Sequence, residues 1–271
     1  MKLKNKVALI TGAGSGIGQE IALAMAREGA RIVINDIKDE NIKATIERIR
    51  EFAVPYLGVN CDVSSSEDVA RMFAGIKDKF GTLDILVNNA GTTVHDERVN
   101  QNYKKLAEQL MTTGVARVSL EATRNMTDGE WDRMLKVHLY GTFYCTREAL
   151  KIMEDRGSGK IINMASVSGI TGVAGAPAYS AAKGGIIAFT KAVAAEVIRV
   201  GVYVNAIAPG YIDTPFLDGM SPESNAGVRM SIPLGRLGKA DEIAPLAVFL
   251  ASNESSYIVG QVISPNGGLV L

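Results

Sequence analysis

Short, almost continuously apolar runs alternate along the chain with longer amphipathic stretches. The runs are VALIT (7–11), RIVIND (31–36), YLGVNC (56–61), DILVNN (84–89), KIINMA (160–165), VYVNAIA (202–208) and QVISP (261–265). Continuous rather than alternating apolarity predicts strands covered on both faces. Between them, GQEIALAMAREG (18–29) and EDVARMFAGIKDKFG (67–81) carry apolar residues at helical spacing. Strand and helix in turn predict an α/β fold, a parallel doubly wound sheet with helices on both faces.

One segment interrupts the rhythm. Residues 94–125 are largely polar, yet Val99, Tyr103, Leu106 and Leu110 fall at helical spacing. An amphipathic helix is expected within this insertion, with a stripe that needs a surface to rest on. TDGE (127–130) then reads as a capping box, Thr127 at the N-cap and Glu130 three positions into the next helix.

The glycine and polar signals fall at the carboxyl ends of the predicted strands, where open parallel sheets bind ligands. TGAGSGIG follows the first, Asp36 ends the second and Cys61-Asp62-Val63 the third. NNAG (88–91), ASVSG (165–169) and APGYIDTP (208–215) close the next three. Gly12, Gly14, Gly16 and Gly18 sit between a strand and a helix. Bare backbone there lets a pyrophosphate approach, and the helix N-terminus supplies free N–H groups. Asp36, 18 residues past Gly18, is placed to accept hydrogen bonds from an adenosine ribose. The loop predicts dinucleotide binding.

YSAAK (179–183) places Tyr179 and Lys183 four apart, on one helical face. A free phenol near pKa 10 is a poor base. A lysine cation at ~4 Å contributes on the order of 4 kcal/mol and can lower that pKa by up to about three units. Such a pair can shuttle a proton, although surface Tyr–Lys pairs are also common.

Composition narrows the partners. The chain has 29 basic and 29 acidic residues among 271, which argues against nucleic acid or an anionic membrane as principal partner. Hydrophobic residues make up 47%, and Cys61 and Cys145 are the only cysteines. There is no disulfide framework, no signal-peptide core after MKLKNK, and no apolar run of membrane-spanning length. These features predict a soluble cytoplasmic protein that buries surface in an oligomer. No linker or composition break divides the chain, so residues 1–271 are expected to form one domain.

TGAGSGIG, NNAG, a serine after the fifth strand, YSAAK and PG followed by Thr214 occur in the order and approximate spacing of the classical short-chain dehydrogenase/reductase family. The chain resembles that family over nearly its whole length, apart from 94–125. The resemblance implies a Rossmann-type sheet of about seven strands in the order 3-2-1-4-5-6-7. It implies that Tyr179 exchanges the proton and Ser166 holds the substrate oxygen. Lys183 would hold the nicotinamide ribose and lower the tyrosine pKa. The expected cofactor surface comprises Gly12, Ser15, Gly16, Ile17, Gly18, Asp36, Asp62, Val63, Asn89, Ala90, Gly91, Tyr179, Lys183, Pro209, Gly210, Ile212 and Thr214. Asp62 and Val63 would flank the adenine, and Ile212 and Thr214 the carboxamide. The closing NGG segment resembles the part of the family that packs across subunits in homotetramers.

His138 departs from the pattern. The family usually has an asparagine there, holding a water that links the lysine to solvent; this chain reads HLYGTF. His138 therefore resembles a substitute for that asparagine, added to Ser166, Tyr179 and Lys183 as a catalytic candidate. Core packing is the competing reading, because Trp131, Leu135, His138 and Thr142 share a helical face on which burial is expected. A metal site is not expected, since no cysteine pair, second histidine or carboxylate cluster accompanies it. A neutral His138 would relay protons near neutrality and fail in acid. His95 reads as an exposed loop histidine.

The expected activity is NAD-dependent interconversion of a secondary alcohol and a ketone. The alternatives are an NADPH-dependent 3-oxoacyl-thioester reductase, disfavoured by Asp36 and by Ser15 where a basic residue would grip a 2′-phosphate, and a non-catalytic cofactor-binding protein. Val173, Phe216, Leu217 and Met220 suggest an apolar substrate portion. Arg98, Arg117 and Arg124 are placed either to meet an anionic tail or to form a solvated face.

Overall fold

The structure is a computed structural model that describes residues 1–93, 96–218 and 222–271. His95 and Met220 lie outside the described residues. The strands are β1 (Val7–Ile10), β2 (Arg31–Asp36), β3 (Tyr56–Asn60), β4 (Ile85–Asn88), β5 (Gly159–Met164), β6 (Val202–Ile207), β7 (Ile212–Asp213), β8 (Gly238–Lys239) and β9 (Val262–Ile263). The α-helices are α1 (Gly16–Arg27), α2 (Asp39–Ile49), α3 (Ser66–Phe80), α4 (Glu97–Thr113), α5 (Ala122–Asn125), α6 (Asp128–Leu135), α7 (Gly141–Arg156), α8 (Val167–Thr171), α9 (Pro177–Val197), α10 (Pro222–Ser231) and α11 (Ala240–Ala251).

Seven strands pair in parallel in the order β3-β2-β1-β4-β5-β6-β9. This is the expected order; the last strand is ninth along the chain because the small β7–β8 ribbon precedes it. The apolar runs feed two cores by the two-residue alternation of a strand. Ala8, Ile10, Ile32, Ile34, Ile85 and Val87 face one side, against α1 and α11. Val7, Leu9, Val33, Leu86 and Ile161 face the other, against α3, α7 and α9. The edge strand β3 is partly open, with Gly58 and Asn60 exposed. Among the described residues no helix is long and apolar enough to cross a membrane.

The insertion forms α4 and α5. Asp96 caps α4 by accepting from the Arg98 N–H at 2.9 Å. Its stripe is only partly covered: Val99 is buried, whereas Leu110 is 49% exposed. The capping box at Thr127 is complete, with the Glu130 N–H donating to Thr127 Oγ1 and the Thr127 N–H to Glu130 Oε2.

The helix opened by that box runs into α7 through a π-helical turn, Lys136–Tyr140, which carries His138. The wider turn rotates α6 relative to α7. The shared buried face accordingly runs through Met134, His138, Thr142 and Cys145, while Trp131, in the first turn of α6, is 40% exposed. The expected burial of Trp131 is thus corrected.

Candidate active site

The glycine loop is a cradle made tight by its own neighbours. Gly12 and Gly16 take the left-handed conformation, with φ of 61° and 54°. A Cβ on Gly12 would stand 2.8 Å from the Ala90 Cα, and one on Gly18 would stand 2.3 Å from the Gly12 carbonyl oxygen. Thr11 Oγ1 accepts from the N–H groups of Asn89 and Ala90, both at 3.0 Å. Asn89 Nδ2 returns bonds to the carbonyls of Thr11 and Gly12 at 3.0 and 3.1 Å. The ends of β1 and β4 are therefore tied together under the loop.

Asp36 closes the loop from β2. Its Oδ2 accepts from the Gly14 N–H at 3.1 Å and its Oδ1 from the Lys38 N–H at 3.0 Å. A Cβ on Gly14 would meet that carboxylate at 2.5 Å, so glycine is needed there for a contact as well as for ligand approach.

A cavity of about 260 Å³ runs from this loop over the strand ends. Of the sequence candidates, Gly12, Ser15, Ile17, Asp36, Asn89, Gly91, Pro209, Gly210, Ile212 and Thr214 line it, together with Ser166, Tyr179, Lys183 and His138. Phe216 and Leu217 line it too. Gly16, Gly18, Asp62, Val63 and Ala90 do not line it. Asp62 spends Oδ1 on the Ser64 N–H and hydroxyl, at 2.9 and 2.7 Å, and Val63 is buried against Gly141. The bare backbone beside a carboxylate fits a dinucleotide whose ribose hydroxyls need an acceptor.

Sequence reasoning missed Thr11, Thr92 and Tyr211. Thr11 and Thr92 act through hydrogen bonds between distant strand ends, and Tyr211 through its place on the cavity wall. No spacing rule exposes such partners.

At the other end, α9 begins with Pro177 at its first position, and its next turns carry Tyr179 and Lys183. Ser166 caps α8, its Oγ accepting from the Ser168 N–H at 3.1 Å. Lys183 is buried and its Nζ donates to the Met164 carbonyl at 2.6 Å. Its Nζ lies 5.6 Å from the centre of the Tyr179 ring. Burial dominates the proton affinities. It pushes the Lys183 ammonium down to about 7 and the Tyr179 phenol up to about 12, the Ser166 hydroxyl acting the other way on the phenol. The expected lowering of the phenol by the lysine is therefore outweighed by desolvation in the protein alone.

His138 packs edge-on against Tyr179. Its Nε2 lies 2.8 Å from the Thr92 carbonyl oxygen and 3.1 Å from the Thr92 N–H. The shorter contact favours Nε2–H as donor, which leaves Nδ1 as an acceptor lone pair; Nδ1 is buried with no partner among the described residues. Gly91 is what admits the ring, since a Cβ there would lie 2.7 Å from His138 Cε1. Burial, then the charge of Lys183, push the imidazole down to about 3, against a weaker opposing effect of the Thr92 backbone. The ring is neutral at neutrality, as expected. The expected failure in acid is displaced, because titration near 3 falls below an ordinary activity range.

Comparison with known proteins agrees with this geometry. The sequence profile of the short chain dehydrogenase family matches residues 6–225. The chain is 35% identical over 274 residues to the 3-oxoacyl-[acyl-carrier-protein] reductase FabG of Thermotoga maritima, covering 100% of both. It is 37% identical to (2S)-[(R)-hydroxy(phenyl)methyl]succinyl-CoA dehydrogenase subunit BbsD of Thauera aromatica, covering 99% of this chain and 98% of that protein. Among solved structures, levodione reductase superposes with a TM-score of 0.85 at 32% identity, over 98% of each chain.

Proposed function

The chain belongs to the short-chain dehydrogenase family, and from that premise we propose an NAD(H)-dependent oxidoreductase that interconverts a secondary alcohol and a ketone. Short-chain dehydrogenases bind a nicotinamide cofactor, which when bound gives or takes the hydride. The observation that carries the reading is that Ser166, Tyr179 and Lys183 open into the same cavity as the glycine loop and Asp36.

In this reading Ser166 holds the substrate oxygen, and Tyr179 protonates it during ketone reduction or accepts its proton during alcohol oxidation. When protonated, Lys183 favours the phenolate. His138 extends the proton path from Lys183 through its free Nδ1 and stands in for an asparagine at this position. Thr214 and Ile212 hold the carboxamide end, and Asp36 the adenosine ribose. Asp36 also sets the cofactor choice, because a 2′-phosphate would add negative charge beside its carboxylate. The chain works as one unit, with the NGG segment packing between subunits of a cytoplasmic homotetramer.

The reading is tested by following NADH or NADPH formation with a panel of secondary alcohols and NAD⁺ or NADP⁺ respectively. A second reading, NADPH-dependent reduction of a 3-oxoacyl thioester, draws on the name of the Thermotoga relative. Acetoacetyl-coenzyme A with NADPH discriminates between the two.

A further inference from the structure

A second cavity of about 190 Å³ adjoins the first, with Tyr179 in the wall of both. Its lining is mostly apolar. Val99 and Ala122 come from the insertion, Met126 from the residue that follows it, Met134 from α6, and Val173 from the loop before α9. The insertion is held over it by two contacts with that loop. Tyr103 donates its hydroxyl to the Ala174 carbonyl at 2.6 Å. Gly175, with φ of 82°, lies so close that a Cβ would stand 2.9 Å from Val99 Cγ1.

The charged groups on the wall carry one sign. Asp96 and Glu130 both line the cavity, and no lysine, arginine or histidine does so among the described residues. Both carboxyls are held below the ordinary range, Asp96 first by the Arg98 side chain and Glu130 first by the Thr127 N–H. Arg98 pairs with Asp96 at 3.1 Å from outside the lining, and Glu130 joins no ion pair among the described residues. Arg124 pairs with Glu121 and is 80% exposed, and Arg117 is exposed. The insertion's arginines therefore do not offer an anion site in this cavity.

We infer that this cavity receives the part of the substrate beyond its carbinol carbon, and that this part is compact, uncharged and hydrocarbon-like, on the scale of a six-membered ring. The inference rests on the oxidoreductase reading above. An apolar cavity of ~150 Å³ already takes up benzene, so the volume suits a ring. An anionic group is opposed by Glu130, the wall carboxylate that joins no ion pair among the described residues, and finds no cation on the wall. The insertion is then the specificity element of the site.

The test is kcat/KM of the full chain with NADH for three ketones: cyclohexanone, 3-oxocyclohexanecarboxylate and acetoacetyl-coenzyme A. Cyclohexanone should exceed both others by at least about tenfold, since like charges brought together are strongly disfavoured. Glu130→Gln, which can still cap its helix, should narrow the gap between cyclohexanone and the carboxylate. Ala122→Leu should lower kcat/KM for cyclohexanone while NADH affinity is kept. Met126→Trp, at a less buried position, does the same if Ala122→Leu fails to fold. Equal or better turnover of the carboxylate or the thioester would overturn the inference. If no ketone is turned over, the oxidoreductase reading fails, and calorimetric titration of the NADH-loaded protein still decides the cavity. Binding of cyclohexanone that Met126→Trp abolishes, with no binding of the carboxylate, supports it. Equal binding of both, or none of cyclohexanone, overturns it.

Discussion

His138 and Tyr179 meet edge to face, with ring centres 5.3 Å apart and planes at 81°. The contact joins the π-helical turn to the first turn of α9. It places a neutral imidazole, anchored on Thr92, beside the proposed acid/base and its lysine. A π turn inside a longer helix often marks a functional position, and here it carries the residue that departs from the family pattern.

The buried imidazole predicts a pH-dependent stability. Its folded pKa, about 3 against 6.5 in a free side chain, is depressed. Its stabilising share is therefore complete above about pH 6.5 and is lost as pH falls toward 3, at about 1.4 kcal/mol per unit. His138→Asn removes this dependence. Urea unfolding of both proteins at pH 7.5 and 4.5 should show the wild type losing about 2–3 kcal/mol more than the variant. Equal losses would mean that the ring charges freely in the folded protein.

The same residue predicts a kinetic effect. His138→Leu keeps the packing and removes Nδ1, so kcat should fall while NADH affinity stays. His138→Asn should retain substantial activity. Since the ring titrates near 3, neither variant should move the acid limb of kcat between about pH 5 and 9. An unchanged kcat for the leucine variant would leave His138 as a packing residue.

Cofactor choice is expected to follow Asp36. Wild type should favour NAD⁺ over NADP⁺ in kcat/KM by at least about tenfold, because the 2′-phosphate and the carboxylate repel. Asp36→Asn keeps one oxygen, enough to accept one of the Gly14 and Lys38 N–H bonds, and removes the charge, so it should narrow the ratio. Equal use of both cofactors by the wild type would exclude this role.

The glycine loop predicts a contrast in stability. Gly18→Ala drives a Cβ to within 2.3 Å of the Gly12 oxygen, and such overpacking costs about 1–3 kcal/mol. Gly75→Ala, in α3 with nothing within 4 Å of its Cβ position, should instead stabilise by about 0.5–1 kcal/mol. Thermal melts read both signs.

The sheet was legible because its apolar runs are continuous and its ligand-facing residues all fall at strand ends. Gly12, Asp36 and Ser166 could be found for that reason, Tyr179 and Lys183 by their four-residue spacing on a helix, and all five line one cavity. The side of the insertion that is covered was not legible. The stripe from Val99 to Leu110 reads as uniformly apolar, yet only its start meets the Val173–Gly175 loop. Burial at Trp131 was misjudged because a 3.6-residue wheel cannot anticipate a π turn. The direction of the Tyr179 shift was misjudged because sequence shows the charged neighbour but not the desolvation opposing it.

The central claim, that Tyr179 exchanges the proton in an NAD-dependent oxidation, is tested most directly by Tyr179→Phe. The ring keeps its packing against His138 and Phe216 and loses only the hydroxyl. With a secondary alcohol that the wild type oxidises, kcat should fall by at least about 100-fold, within the ~10²–10⁴-fold typical of general acid–base catalysis, while NADH affinity is retained. A variant that keeps more than about a tenth of the wild-type kcat would contradict the account and place the acid/base on another residue.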